Sequence, residues 1–229
     1  MFRVLSEMQA HALTALFKGG IGDLGYYLTG GTALAEFYLQ HRRSDDLDIF
    51  TREKRPFKQH HERLLEILSE QGIEIVSQEI SDEFMRFFVS QKGQEPGQLK
   101  VEFAWDVPSR MGPPITHGEI IVDSFEDIAV NKICAILERE PPEVKDFVDL
   151  FFILKETKYS VDYLVNRAGA KEGSLDTELG KLGFATNLSR VDAFHFLPRM
   201  IKPLTLAELK SLLLPIARDM ILRMRPQRF

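Results

Sequence analysis

The chain has 229 residues, 44% of them hydrophobic, with a formal charge of −5 and a pI near 5.7. That apolar content can bury a sizeable core and predicts an ordered globular protein of one large domain or two small ones. The acidic balance excludes non-specific, whole-surface attraction to nucleic acid, leaving room for a local basic patch such as Arg42-Arg43 or the tail with Arg223, Arg225 and Arg228.

Residues 2 to 17 carry Phe2, Val4, Leu5, Met8, Leu13, Leu16 and Phe17 near helical spacing, and a Gly19-Gly20-Ile21-Gly22 break ends this opening helix. Tyr26 to Leu28 reads as a buried strand feeding the Gly30-Gly31 turn, and Thr32 to Tyr38 as a helix. Leu47, Ile49 and Phe50 mark a second strand, residues 57 to 70 a polar-faced helix, and Ile73 to Ile80 a third strand. Glu83 to Ser90 and Leu99 to Trp105 flank Lys92-Gly93-Gln94-Glu95-Pro96-Gly97 as a hairpin. After Asp123-Ser124 the strands stop. Ser124 and Asp127 resemble a capping arrangement for a helix carrying Phe125, Ile128, Ile133, Ile136 and Leu137, which Pro141-Pro142 terminates. Phe147, Leu150, Phe151 and Leu154 mark another helix. Shorter helices fill 158 to 200, and a closing helix over Ala207 to Leu222 is expected to kink or split at Pro215. The fold class is therefore α+β: a mixed sheet with helices over residues 1–122, then an all-helical region over 123–229. Cys134 forbids an internal disulfide, and its apolar neighbours predict a buried thiol in a reducing compartment. Without a membrane-length apolar run or a signal-peptide pattern, a cytoplasmic location is expected.

The chemistry concentrates between Leu28 and Phe50. Gly30 and Gly31 can adopt positive φ and bring backbone N–H groups close to phosphate oxygens, and the residues that follow can start a helix whose amino end favours anions. In a strand, Asp46 and Asp48 point the same way, about 6 to 7 Å apart at the backbone, and supply the hard oxygens that magnesium prefers. A two-metal site needs a third acid. In Leu99–Trp105, Val101, Phe103 and Trp105 form the expected apolar face, while Lys100, Glu102 and Asp106 lie on the other; Glu102 is the stronger candidate and Asp106 the weaker. An acid so placed has to be solvated, paired or on a metal, because burying it bare is too costly.

The string Gly30-Gly31-Thr32-Ala33-Leu34, with His41 through Asp48 after it, resembles the nucleotidyltransferases of the AbiEii/AbiGii toxin type in the DNA polymerase beta superfamily. That family shows a Gly-Gly-Thr/Ser turn, an Arg-x-Ser-x-Asp-x-Asp segment, a helix lysine and a Lys-Asp-x-x-Asp-Leu segment. The second matches Arg42, Ser44, Asp46 and Asp48, the third Lys132, and the fourth Lys145-Asp146-Phe147-Val148-Asp149-Leu150, so the likeness spans about residues 25 to 155. The resemblance implies a nucleotidyltransferase-type sheet and transfer of a nucleotidyl group from a nucleoside triphosphate to an acceptor, in some relatives the 3′ end of tRNA. It also implies a cognate antitoxin as protein partner, while Asp46, Asp48 and Glu102 are, on the strand reading above, the residues expected to hold magnesium or manganese. Gly30, Gly31, Thr32, Arg42, Ser44, Lys132 and Lys145 would serve the nucleotide, the two lysines by contacting phosphates. Asp146 and Asp149, one helical turn apart, would orient those lysines or the acceptor hydroxyl.

Each motif also has a plainer reading. Lys145, Asp146 and Asp149 read equally as a surface ion-pair network, Lys132 as a solvated residue on its helix, and His60-His61 as surface residues without metal-ligand spacing. Two functions from different classes fit the whole pattern: a metal-dependent nucleotidyltransferase, or a catalytically silent nucleotide-binding or partner-binding protein of the same fold. They differ on whether the carboxylates of Asp46, Asp48 and Glu102 meet on one side of the sheet beside Gly30 and Gly31.

Overall fold

Ser6 and Gln9 form a capping box at the start of α1 (Glu7–Lys18): the Ser6 hydroxyl accepts from the Gln9 amide, and the Gln9 side chain accepts from the Ser6 amide. The cap sets the start at residue 7 rather than 2. The structure, a computed structural model, describes residues 2–53, 57–91 and 98–224. It divides into two units, Met1–Ser124 and Phe125–Phe229. Among the described residues no helix is long and apolar enough to cross a membrane.

The first unit is built on a seven-stranded mixed sheet of order β3-β4-β5-β2-β1-β7-β6. Its strands are β1 (Tyr26–Thr29), β2 (Leu47–Thr51), β3 (Ile73–Ile80), β4 (Phe84–Gln91), β5 (Leu99–Trp105), β6 (Ile115–His117) and β7 (Ile120–Val122). β1 is buried along its whole length. Parallel pairing joins β2 to β5 and β1 to β7, and the other neighbours are antiparallel. α1 packs on β7 and on α3 (Phe57–Glu70), which in turn packs on β3. Between β1 and β2 the chain forms α2 (Gly30–Ala33), which continues as a six-residue π-helix, Leu34–Leu39, where an ordinary helix was expected. The left-handed residue Gln40 ends it and turns the chain toward β2.

Several expectations give way here. β6 and β7 are absent from the sequence reading because three-residue strands are too short to show a period; they are held by a hairpin through left-handed Gly118 and by the Asp123 amide on the Leu28 carbonyl. The expected apolar face of β5 stops at Phe103: Trp105, at the strand end, is 36% exposed. Asp106 is buried instead, accepting from the Tyr27 hydroxyl and pairing with Arg52, each at 2.7 Å. Burial, reinforced by the Asp106 charge, raises the Tyr27 pKa and keeps its phenol a donor. His60 is buried as well, with Nδ1 2.8 Å from the Tyr26 hydroxyl. The hairpin turn Lys92–Gly97 lies outside the described residues, as do Arg225 and Arg228.

The second unit is helical: α4 (Phe125–Glu138), α5 (Val144–Glu156), α6 (Val161–Ala168), α7 (Glu178–Ser189) and α8 (Leu206–Arg223). α4 packs against α5, α6 and α7, and α8 against α5 and α7. α8 runs unbroken through Pro215, contrary to the expected split. Pro215 and Ser211, the residue whose carbonyl loses its partner, are exposed, so water can replace the missing bond while Leu209, Leu213, Ala217 and Met220 stay buried.

Candidate active site

Parallel pairing of β2 with β5 sets Asp48 opposite Glu102, Leu47 opposite Val101 and Ile49 opposite Phe103. The four apolar residues are fully buried, so the pleat sends both acids to the other face. Asp46 lies just before β2 rather than within it, and the Thr32 hydroxyl donates to its carbonyl. Lys100 joins these acids: its Nζ is 3.1 Å from Asp46 Oδ2 and 3.9 Å from Glu102 Oε2. Burial disfavours the ammonium, but the hydrogen bond to Asp46 and the charges of Asp46, Asp48 and Glu102 outweigh it, so the Lys100 pKa rises. On the other side of Glu102, Arg86 is its register partner on β4 and brings Nε to 2.7 Å from Oε2. All three acids therefore gather on one side of the sheet around Lys100.

The glycine turn abuts the same carboxylates. Gly30 has φ +70°, and a Cβ on it would stand 2.3 Å from Asp48 Oδ2, so both conformation and space demand glycine. Gly31 does not use positive φ; it is needed for space alone, since its Cβ would meet Arg42 Nη2 at 2.5 Å and Ser44 Oγ at 3.1 Å. Arg42 is 2% exposed and donates to the Arg43 carbonyl, so it props the turn and cannot contribute the surface basic patch that Arg42-Arg43 suggested. The buried Gln9 side chain holds the Ser44 carbonyl at 2.8 Å. Gly30, Gly31, Thr32, Arg42, Ser44, Asp46, Asp48 and Glu102 thus form one neighbourhood.

Among the described residues, no three Asp, Glu, His or Cys side chains cluster as a metal site in their present conformations. A cation nevertheless stands there, the Lys100 ammonium, beside partly exposed carboxylates (31% for Asp46 and 21% for Glu102). Carboxylate oxygens are the donors that magnesium and manganese prefer, and Asp46, Asp48 and Glu102 are the residues here that would hold such an ion.

In the second unit, Lys132 on α4 places Nζ 2.8 Å from both Asp146 Oδ1 and Asp149 Oδ2 on α5, and Arg139 Nη1 lies 2.7 Å from Asp146 Oδ2. Lys132 is buried, and the aspartates are 1% and 0% exposed, which overturns both the surface-network and the solvated-lysine readings. Lys145 points elsewhere, its Nζ 2.7 Å from Glu143 on a partly exposed surface. Cys134 is half-buried, and desolvation, with the Glu138 charge, pushes its thiol up to about 12, where it is no nucleophile at neutral pH. Sequence reasoning assigned no role to Lys100 or Arg86. The signal for Lys100 was present, two residues before Glu102 on one strand face; Arg86 required the β4–β5 register.

The sequence model described as "Nucleotidyl transferase AbiEii toxin, Type IV TA system" matches residues 11–224. No curated protein sequence matches. The crystal structure of JHP933 from Helicobacter pylori is similar, with 22% identity and TM-score 0.58, over 96% of this chain and 94% of that one. A second Helicobacter pylori structure has 21% identity and TM-score 0.59, over 98% and 100%. MenT4, a nucleotidyltransferase toxin from Mycobacterium tuberculosis H37Rv, has 17% identity and TM-score 0.53, over 96% and 82%. These structural likenesses establish a shared fold.

Proposed function

The chain belongs to the AbiEii nucleotidyltransferase toxin family, and from that premise we propose that it transfers a nucleoside monophosphate from a nucleoside triphosphate to an RNA acceptor, tRNA included, using magnesium or manganese held by Asp46, Asp48 and Glu102. One observation carries this reading: Asp48 and Glu102 are register partners, Lys100 stands between Asp46 and Glu102, and Asp48 lies directly against a glycine turn with no room for a Cβ. When bound, the metal lowers the pKa of the attacking hydroxyl and neutralises charge building on the α-phosphorus and the leaving pyrophosphate.

The protein's own groups divide the remaining work. Backbone N–H groups at Gly30 and Gly31, with the Ser44 hydroxyl, meet the triphosphate, while Thr32 and Arg42 fix the turn against the acids. Glu102 receives or steers the proton leaving the acceptor hydroxyl. Of the two lysines that the family resemblance assigns to phosphate, Lys145 is the accessible ammonium, whereas Lys132 is held by the buried Asp146 and Asp149 and would have to leave them to reach one. Residues 1–122 are accordingly the nucleotide- and metal-binding domain, and the helices of 123–229 shape acceptor choice. As a type IV toxin the protein acts in the cytoplasm and is neutralised by a cognate antitoxin.

The test is incubation of the purified chain with magnesium, each labelled triphosphate in turn and total cellular RNA, beside an Asp46→Asn, Asp48→Asn double variant. Labelled RNA from the intact chain alone is expected. A folded chain that binds nucleotide but labels nothing would favour the catalytically silent alternative.

A further inference from the structure

Lys100 has a position that neither sheet packing nor solvation requires. Its side chain is 27% exposed, so it could extend into water, yet its ammonium lies 3.1 Å from Asp46 and 3.9 Å from Glu102. Arg86 already engages Glu102 from the neighbouring strand at 2.7 Å and Glu79 at 3.0 Å. Lys100 is therefore set between the two carboxylates, closer to Asp46, while Arg86 holds Glu102 from its other side. Resting on the function proposed above, we propose that Lys100 is a built-in counter-ion: it holds the place of the divalent cation in the free protein and has to be displaced before that cation binds.

The residue type suits the task. A lysine ammonium is a compact point charge on a flexible stem, whereas an arginine would clamp a carboxylate through two parallel bonds and resist release. Two carboxylates side by side repel each other, and Lys100, set between Asp46 and Glu102, offsets that repulsion. The consequence is competition. Metal entry exchanges one positive charge for two and frees the ammonium, so the apparent metal affinity of the free chain is lower than its carboxylates alone would give. Lys100 acts on the site through the acids and is a positioning residue.

The experiment is a manganese titration read by electron paramagnetic resonance of the unbound ion, on the full chain without nucleotide. It compares the natural protein with Lys100→Met, Lys100→Arg and the Asp46→Asn, Asp48→Asn double variant; Lys100→Gln replaces the Met variant should that one fail to fold. Lys100→Met is expected to bind manganese about tenfold tighter or more, as removal of one competing charge near a protein surface allows. Lys100→Arg should stay at or below the natural affinity, and the double aspartate variant should not bind. A parallel thermal melt should show Lys100→Met less stable than the natural chain in chelator and gaining more from manganese. Equal or weaker binding by Lys100→Met, with binding still abolished in the aspartate variant, overturns the counter-ion role and leaves the transferase reading standing. Absence of manganese binding in the natural chain, the Met variant and the natural chain with a non-hydrolysable triphosphate would overturn both.

Discussion

Each unit carries a cluster of acids around a lysine, and the two clusters differ in burial. In the first, Lys100 sits with Asp46 and Glu102 at 27%, 31% and 21% side-chain exposure, with contacts of 3.1 and 3.9 Å. In the second, Lys132 sits between Asp146 and Asp149 at 9%, 1% and 0%, with both contacts at 2.8 Å. The buried cluster is tight, and removing one partner would strand charge where water cannot reach it. The open cluster is loose and half-solvated, so its members can exchange partners at small cost. The same residue types thus fix the helical packing of α4 on α5 in one unit and leave a loose, half-solvated group of carboxylates in the other.

That contrast can be broken from either side. The largest expected effect is Lys132→Met, which removes the ammonium shared by the buried Asp146 and Asp149, leaving Arg139 on Asp146, and should cost about 3–5 kcal/mol in urea unfolding of the full chain; a loss below about 1 kcal/mol would mean that the cluster hydrates readily. Next, Asp46→Asn with Asp48→Asn should reduce nucleotide transfer about a hundredfold or more. It should leave the unfolding midpoint little changed, since the Asp46–Lys100 contact that it weakens is half-solvated. A matching collapse of stability would assign those aspartates a structural role. Gly30→Ala forces a left-handed Ala and drives its Cβ into Asp48. About 1–3 kcal/mol of strain is expected, with transfer falling further than stability does; Gly31→Ala, spared the φ penalty, should lose less stability.

The smallest effect belongs to a third acid pair, in the second unit. Burial, reinforced by a hydrogen bond with Glu172, raises the Glu138 carboxyl from 4.5 to about 6. A raised carboxyl contributes stability that is present below the unfolded pKa and is lost as pH rises through the folded one. Stability should therefore decline slightly between pH 4.5 and about 6 in the natural chain. In Glu138→Gln that slope should flatten, leaving the variant the more stable above pH 6 in paired thermal melts. An unchanged slope would place the proton elsewhere.

Local features were readable from the sequence. The i, i+2 carboxylates beside Leu47 and Ile49, the double glycine, and the helices and strands of six residues or more show their period or their turn chemistry within a short window. Features that depend on register were not. Asp48 meets Glu102, and Arg86 reaches it, through strand pairings that no local pattern encodes. Burial of Lys132, Asp146 and Asp149 depends on how α4 meets α5, and three exposed ionic residues would have the same sequence. The three-residue strands β6 and β7 and the π-helical turn after Ala33 lie below the resolution of periodicity, because tertiary contacts rather than propensity hold them. Trp105 shows the converse failure: an alternation that is sound within β5 was carried to a strand end where the packing stops.

The most direct measurement is a crystal structure of the full chain with manganese and a non-hydrolysable nucleoside triphosphate. Anomalous density for manganese is expected between the carboxylates of Asp46 and Asp48, with Lys100 turned away and the triphosphate lying along Gly30 and Gly31. A well-ordered structure at saturating manganese in which Lys100 still bridges Asp46 and Glu102, with no metal and no nucleotide beside the turn, would contradict the proposed site.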